Sequence, residues 1–481
     1  MMWIHGGGFT NGNGNSIIFD PEFIVNEEVV FVSINYRLGV LGFLSLDGTD
    51  VSSNNGLRDQ LAALKWIKQN IAQFGGDPET VTVSGQSAGG ASVHYLLMSP
   101  LSQGLFQRAI SESGSAFNPW AYMKTPKERA LRLAFYLGYS GSNGSQEIAD
   151  YLRTVDASEL ANNQAQGPSD EEKSGGMNYP FVPTAEPSVR SSGEVFLPDE
   201  PINLMRTGQF LRVPVIMGSG SNEAKMSAQS MNKSASNWRN ANKNFENNVP
   251  LDLGLARGSE QSLEVEELIK QFYYNGEDIS SSTVQEYSNM LTDIRYVKGV
   301  YKTVSDILAH SNSPLYNYLF SFDGEINYSY ISGSTTTLKG GGHSDEVCYI
   351  FLCSQFNLDL AEDSPELTTS HRMVSMWTNF VKTGHSHATM RTYAVFLSVA
   401  VGAWTKRQAV WFAEDEEAVV RDLVGNPSPG EGISWLPATN DTRYYLQIDT
   451  DLSLQQDLLK DRMAFWDQIY TTYQNGTIYT N

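Results

Sequence analysis

Three observations predict an α/β protein built on a central, mostly parallel, twisted sheet with helices on both faces. Strand-like and helix-like patterns alternate from the start of the chain, the order that winds helices around a parallel sheet. The apolar run "EVVFVSINY" (28–36) reads as a buried strand and is followed by a long amphipathic stretch. The segment "TVTVSGQSAGGASVHYLL" (80–97) carries a β-branched strand into a glycine-flanked serine and then into small residues, a strand-to-helix passage with a sharp turn at its centre.

The elements follow in order. A short apolar strand precedes "HGGGF" near the start. "NNGLRDQLAALKWIKQNIAQFGGDP" places Leu61, Leu64, Ile67, Ile71 and Phe74 at helical spacing and stops at Gly75-Gly76, with Pro78 just beyond. "TVTVS" is the next strand, and further strands are expected within "FQRAISESGS" (106–115), "VPVIMGSGS" (213–221), "LYNYLFSFDG" (315–324) and "YYLQI" (444–448). Residues 160–178 and 225–247 are rich in Asn, Ser, Gln and Gly and read as surface loops.

Composition narrows the function. A chain of 481 residues with 41% apolar and 18% charged residues can bury a large core, and no apolar run is long enough to span a bilayer. We read residues 1–481 as a single domain. The net charge of −21, with no basic run to offset it, argues against nucleic acid or an anionic membrane surface as a partner. Cys348 and Cys353 lack zinc-site spacing and do not indicate a disulfide framework, so two buried thiols are expected. Sequons at Asn143, Asn232, Asn327, Asn440 and Asn475 are candidate glycosylation sites and point to the secretory pathway, with a cytoplasmic location still open. The opening "MMWIHGGGF" has no basic segment leading an apolar one, so either there is no signal peptide or the true start lies upstream.

The chemistry centres on Gly85-Gln86-Ser87-Ala88-Gly89. Small neighbours let such a turn close, which lifts the serine oxygen above the sheet and aims the next helix N-terminus at it. A serine hydroxyl is a weak nucleophile at neutral pH and needs an imidazole base, itself oriented by a carboxylate. Of seven histidines, His343 in "GGGHSDEVCYIF" stands out, because its glycine-rich approach frees the ring to project from a loop ahead of a helix-like "DEVCYIF". Glu223 lies in a small-residue loop at the end of the strand in "VPVIMGSGSNEAKM", where parallel sheets present functional groups. The order Ser87, Glu223, His343 is the Ser…acid…His order of α/β-hydrolases. Gly6, Gly7 and Gly8 can turn backbone N–H groups toward a developing oxyanion, with the N–H of Ala88 as a further donor. A phosphate-binding loop is the competing use of these glycines, but its Gly-x-Gly-x-x-Gly and Gly-Lys-Ser/Thr patterns are absent from the segment.

With these motifs assembled, the chain resembles the type-B carboxylesterase and cholinesterase family, nearest to insect carboxylesterases and juvenile hormone esterases. The resemblance rests on "HGGGF", "NYRLGVLGFLSL", "VSGQSAGGASVHY", "AISESGSAFNPWA", "VPVIMGSGSNEA", "GGGHSDEVCYIF" and "RMAFWD", which span nearly the whole chain. It implies an α/β-hydrolase fold and a serine carboxylic-ester hydrolase working without metal or cofactor on a small-molecule ester. It further implies Ser87 as nucleophile, Glu223 as acid, His343 as base and Gly7, Gly8 and Ala88 as oxyanion hole. Ser113 would stand just behind the triad and Trp120 would be an acyl-pocket wall or a plain core aromatic. The family also contains adhesion proteins that keep the fold without the chemistry, so an inert binding module or a non-functional truncated product is the alternative; the surviving triad separates this chain from the adhesion proteins.

Four departures from the family pattern stand out. Gln86 occupies a position where glutamate is usual, which removes a negative charge that would attract a cationic choline ester, and Asn222-Glu223-Ala224 replaces the usual Asp-Glu-Gly. Family members begin well upstream of "HGGGF", so the chain is expected to lack their N-terminal portion. Residues 385–424 interrupt "MWTNFVKTG" and "NPSPGEGISWLP", which adjoin in the family, and their apolar centre "YAVFLSVAVGAW" is too short to cross a bilayer. We read this segment as translated intron sequence or another gene-model error. Sequencing of the transcript is expected to find the two flanks joined directly; a message retaining the segment in frame in most copies overturns that reading.

Overall fold

The computed structural model describes residues 1–175, 179–186, 194–330, 338–353, 360–361, 363–386 and 433–474. Its strands are β1 (Met2–Ile4), β2 (Val32–Ile34), β3 (Thr82–Gln86), β4 (Arg108–Glu112), β5 (Val215–Gly220), β6 (Leu315–Phe320), β7 (Tyr444–Ile448) and β8 (Leu452–Gln456). They form one sheet in the order β2-β1-β3-β4-β5-β6-β7-β8. All neighbours are parallel except the antiparallel β7–β8 pair at one edge. The chain order reverses between β1 and β3, and in open parallel sheets the crevice beyond the strand ends at such a switch point is where ligands bind.

The pleat explains why these strands read as continuous apolar runs. Met2, Ile4, Val83, Ala109, Val215, Met217 and Leu315 enter one buried cluster. Their alternates Trp3, Ile110, Ile216, Tyr316, Tyr318 and Phe320 enter a second cluster on the opposite face, with Leu446 and Ile448. Both faces are therefore core, and helices cover them. The helix Asn55–Asn70 buries Leu57, Leu61, Leu64 and Ile67, and a 3₁₀ turn then ends at Gly75 in a left-handed conformation.

The structure corrects four sequence expectations. The run 28–36 yields only the three residues of β2, half-buried because β2 is the sheet edge. Phe74 is 63% exposed and packs against Trp66 on the surface, since the helix has ended before it and its ring no longer follows the buried row. Within 160–178 and 225–247 the chain is largely helical, over Ala157–Asn163, Asp170–Ser174, Lys225–Met231 and Ala235–Lys243. There Ser and Asn serve as caps: Ser169 and Glu172 form a reciprocal capping box, and the Ser234 side chain accepts from the Ser236 N–H.

The fourth correction concerns the cysteines, which are joined by a disulfide. The short helix Val347–Ile350 is followed by an extended turn that bridges back to Asp20, leaving the two Cα atoms 5.3 Å apart, within bridging range. Of the sequons, Asn143, Asn232 and Asn440 are exposed. Asn327 is fully buried, and its amide donates to Phe322 O and Asp345 Oδ2; the folded chain cannot present it to a glycosylating enzyme. Asn475, and residues 387–424 of the interrupting segment, lie outside the described residues. Among the described residues, no helix is long and apolar enough to cross a membrane.

Because Met217 has no exposed surface and sits in the middle of the sheet, Met217→Ala is expected to lower unfolding free energy by about 2–5 kcal/mol in urea denaturation. Leu41→Ala, at a 45% exposed position, should stay within about 0.5 kcal/mol of wild type.

Candidate active site

β3 ends at Gln86, and the helix Ala88–Met98 begins two residues later. Ser87 takes the whole change of direction, with φ 58° and ψ −122°, an uncommon conformation for a side-chain-bearing residue. Backbone bonds hold it there: Ser87 N–H donates to Glu112 O at 2.8 Å, and Ala91 N–H donates to Ser87 O at 2.9 Å. The flanking glycines are steric necessities. A Cβ on Gly89 would lie 1.9 Å from the Ile4 carbonyl, and one on Gly85 would lie 2.6 Å from Gly89 C.

His343 reaches the serine from the opposite side of the crevice. Its Nε2 lies 2.9 Å from Ser87 Oγ, and its Nδ1 lies 2.6 Å from Glu223 Oε2. Glu223 follows β5, is buried, and accepts the Gly220 N–H on its other oxygen at 2.6 Å. The loops carrying these two residues are laced together through Asn222 N–H to Gly341 O at 2.8 Å and His343 N–H to Glu223 O at 3.3 Å. The Tyr296 ring packs 4.6 Å from the imidazole centroid. Such a relay can move a hydroxyl proton onto the imidazole while the carboxylate holds the ring in one tautomer.

The glycine loop after β1 completes the ring of groups. Gly7 and Gly8 have φ of 108° and 61°, and a Cβ on Gly8 would sit 2.3 Å from the Tyr179 ring. Ala88 is the first residue of its helix, so its N–H has no intrahelical acceptor. Gly7, Gly8 and Ser87 line one cavity of about 270 Å³, walled by Ile18, Phe19, Tyr179, Met226, Tyr328 and Val347. Among the described residues, no carboxylate or basic side chain other than His5 and His343 lines it. Gln86 also lines it, with Nε2 3.5 Å from His343 Nε2.

Two further residues foreseen from sequence stand back from the cavity. Ser113 donates to Glu346 Oε1 at 2.9 Å. Trp120 is buried behind the wall, 6.2 Å from Tyr179 and 6.5 Å from Phe9 by ring centroids, with its indole N–H donating to Arg295 O. Trp120 therefore backs the cavity instead of lining it. His94 is a core ring: burial drops it to about 3, and its Nδ1 accepts the Ala116 N–H.

Sequence reading missed a group of buried acids behind the site. Glu112 accepts the Trp377 indole N–H at 2.7 Å, and burial raises its carboxyl to about 8. Glu346 lies well above the usual carboxylate range, first from burial and then from the Glu223 and Glu112 charges. The only textual signals were the acids inside "ISESGS" and three places after His343.

Comparison with known proteins matches this architecture throughout. The profile described as the Carboxylesterase family matches residues 1–466. Esterase E4 of Myzus persicae is 36% identical over 397 residues, covering 80% of this chain and 68% of its own length. A juvenile hormone esterase of Tribolium castaneum is 34% identical over 407 residues, covering 80% of this chain and 67% of its own. The crystal structure of juvenile hormone esterase from Manduca sexta, with OTFP covalently attached, superposes with a TM-score of 0.77 at 24% identity, covering 98% of this chain and 80% of that one. The fold is that of an α/β-hydrolase, and the class is carboxylic-ester hydrolase. The chain belongs to the carboxylesterase family, and it spans about two thirds of the length of these curated relatives.

The buried Glu112 carboxyl sets a pH dependence of stability. Its pKa rises from 4.5 to about 8 on folding, so between those values the unfolded chain releases a proton that the folded chain keeps. Stability then falls as pH rises through this window, by of order 1 kcal/mol per pH unit from this group. Glu112→Gln keeps an acceptor for Trp377 and is expected to flatten the decline of the urea midpoint between pH 5 and pH 8; an unchanged slope contradicts the assignment.

Proposed function

We propose that the chain is a serine carboxylic-ester hydrolase in which Ser87, His343 and Glu223 act as a triad through an acyl-enzyme. The observation that carries this reading is the unbroken hydrogen-bonded chain from Ser87 Oγ through the imidazole to Glu223, at 2.9 Å and 2.6 Å. His343 Nε2 takes the hydroxyl proton as Ser87 Oγ bonds to the ester carbonyl carbon. The carbonyl oxygen becomes an oxyanion, held by the N–H groups of Gly7, Gly8 and Ala88, an arrangement in which a single donor is worth about 3–4 kcal/mol of barrier in a well-studied protease. The tetrahedral intermediate collapses as the carbon–alkoxy bond breaks, and the imidazolium returns its proton to the departing alcohol. Water, deprotonated by the same ring, then attacks the acyl carbon and releases the acid with Ser87 restored.

The cavity walls suggest the substrate. Ile18, Phe19, Tyr179, Met226, Tyr328 and Val347 give them an apolar and aromatic part. Their polar part includes the uncharged Asn11, Asn13 and Ser344, and Gln86 beside the serine is neutral, so an uncharged ester with a lipophilic portion fits better than a cationic one. Secretion, with glycans on Asn143, Asn232 and Asn440, is the location we infer from the exposed sequons. The test is hydrolysis of p-nitrophenyl butyrate by the purified chain, with Ser87→Ala and Glu223→Gln in parallel. Ser87→Ala is expected to lower kcat by about 10⁴-fold or more, and Glu223→Gln by roughly 10³–10⁴-fold, with KM little changed. A folded wild type no faster than Ser87→Ala sinks the proposal and favours an inert homologue.

A further inference from the structure

Lys225 lies two residues after Glu223, at the start of the helix Lys225–Met231, and its side chain has no contact with solvent. A buried ammonium is costly unless several acceptors surround it, and those acceptors come from three separate segments. Asp323 Oδ1, just beyond β6, lies at 2.7 Å; the Gly340 carbonyl, three residues before His343, lies at 3.1 Å. The Tyr330 hydroxyl lies at 3.5 Å, and its ring centroid at 4.8 Å. On the far side of the histidine, the buried Asp345 carboxyl accepts the Gly342 N–H at 2.5 Å and the Ser329 N–H at 2.7 Å. The peptide carrying His343 is thus gripped from both ends, and one grip belongs to the loop that supplies the acid.

We propose that Lys225 is a positioning residue of this hydrolase: its ammonium fastens the histidine loop to the glutamate loop and so sets the His343–Glu223 contact. The proposal rests on the triad reading above. Apart from the His343–Glu223 contact itself, other ties between the two loops are neutral: Ser221 Oγ accepts the Gly341 N–H, Glu223 O accepts the His343 N–H, and Asn222 N–H donates to Gly341 O. Lys225 adds a charged one, and it reaches the exit of β6 as well. If Gly340 slipped from the ammonium, a buried charge would lose an acceptor, so the loop is held more tightly than neutral bonds would hold it. Lys225 is not among the residues that line the cavity. Its influence runs entirely through the imidazole.

The experiment compares Lys225→Met and Lys225→Arg with wild type in the full chain, by two readouts. One is kcat and KM for p-nitrophenyl butyrate across pH. The other is the low-field proton resonance of the His343 Nδ1–H that Glu223 accepts, which reports the contact whether or not an ester is turned over. Lys225→Met is expected to lower kcat by roughly 10–100-fold with KM within about twofold, to shift the acidic limb of the pH profile, and to displace or broaden the resonance. Lys225→Arg should recover most of both. A folded Lys225→Met with wild-type kcat and an unmoved resonance overturns the proposal. Should Lys225→Met fail to fold, Asp323→Asn at its partly exposed site takes its place, and an unmoved resonance there overturns the proposal equally. A wild type that shows the resonance yet hydrolyses nothing ends the triad reading, while the variants' resonance still decides the role of Lys225.

Discussion

The close approach of the first turn of the Ala88–Met98 helix to the end of β1 is the constraint on which the rest of the site depends. Gly89 lies so near the Ile4 carbonyl that no other residue fits, and this single contact fixes two things at once. It brings the helix N-terminus down onto the sheet, which forces Ser87 into its strained backbone. It also sets the glycine loop that follows Ile4 directly beside that serine. The proposed nucleophile and oxyanion donors are therefore not assembled independently. They are two ends of one backbone contact at the sheet's switch point.

The other two members of the proposed triad arrive by a looser route. Glu223 and His343 hang from loops beyond β5 and β6, and two backbone bonds between those loops are supplemented by side chains: Ser221, Asn222, Lys225, Asp345. The proposed site thus has one half fixed by close backbone packing and another in which polar side chains share the work with two backbone bonds. Behind both lie two buried carboxyls: burial raises Glu112 to about 8 and lifts Glu346 well above the usual carboxylate range.

This division also explains what could be seen in the amino-acid sequence. Ser87, the glycines around it and the "HGGG" loop were legible because they depend on local sterics, where residue size and spacing carry the information. The strands β3 to β7 were legible because both sheet faces are buried, so each reads as an apolar run. The Glu112, Glu346 and Lys225 interactions were not, since each pairs residues about a hundred positions or more apart whose types are common everywhere on protein surfaces. The Cys348–Cys353 bridge escaped for a similar reason: a five-residue separation has no preferred reading until the turn between them is known. The helices in 160–178 and 225–247 were hidden by composition, because serine and asparagine mark loops and helix caps alike.

Asn327 gives the molecule a property that belongs to time and not to structure. Its amide is one of the struts beneath Asp345, and through Asp345 it supports the peptide next to His343. In a compartment where asparagines are glycosylated, this residue is available only while the nascent chain is still open, and a sugar added then would prevent the loop from seating. Folding of the β6 exit and modification of Asn327 are mutually exclusive fates of the same chain, and the faster one decides whether a given copy seats the loop that carries His343.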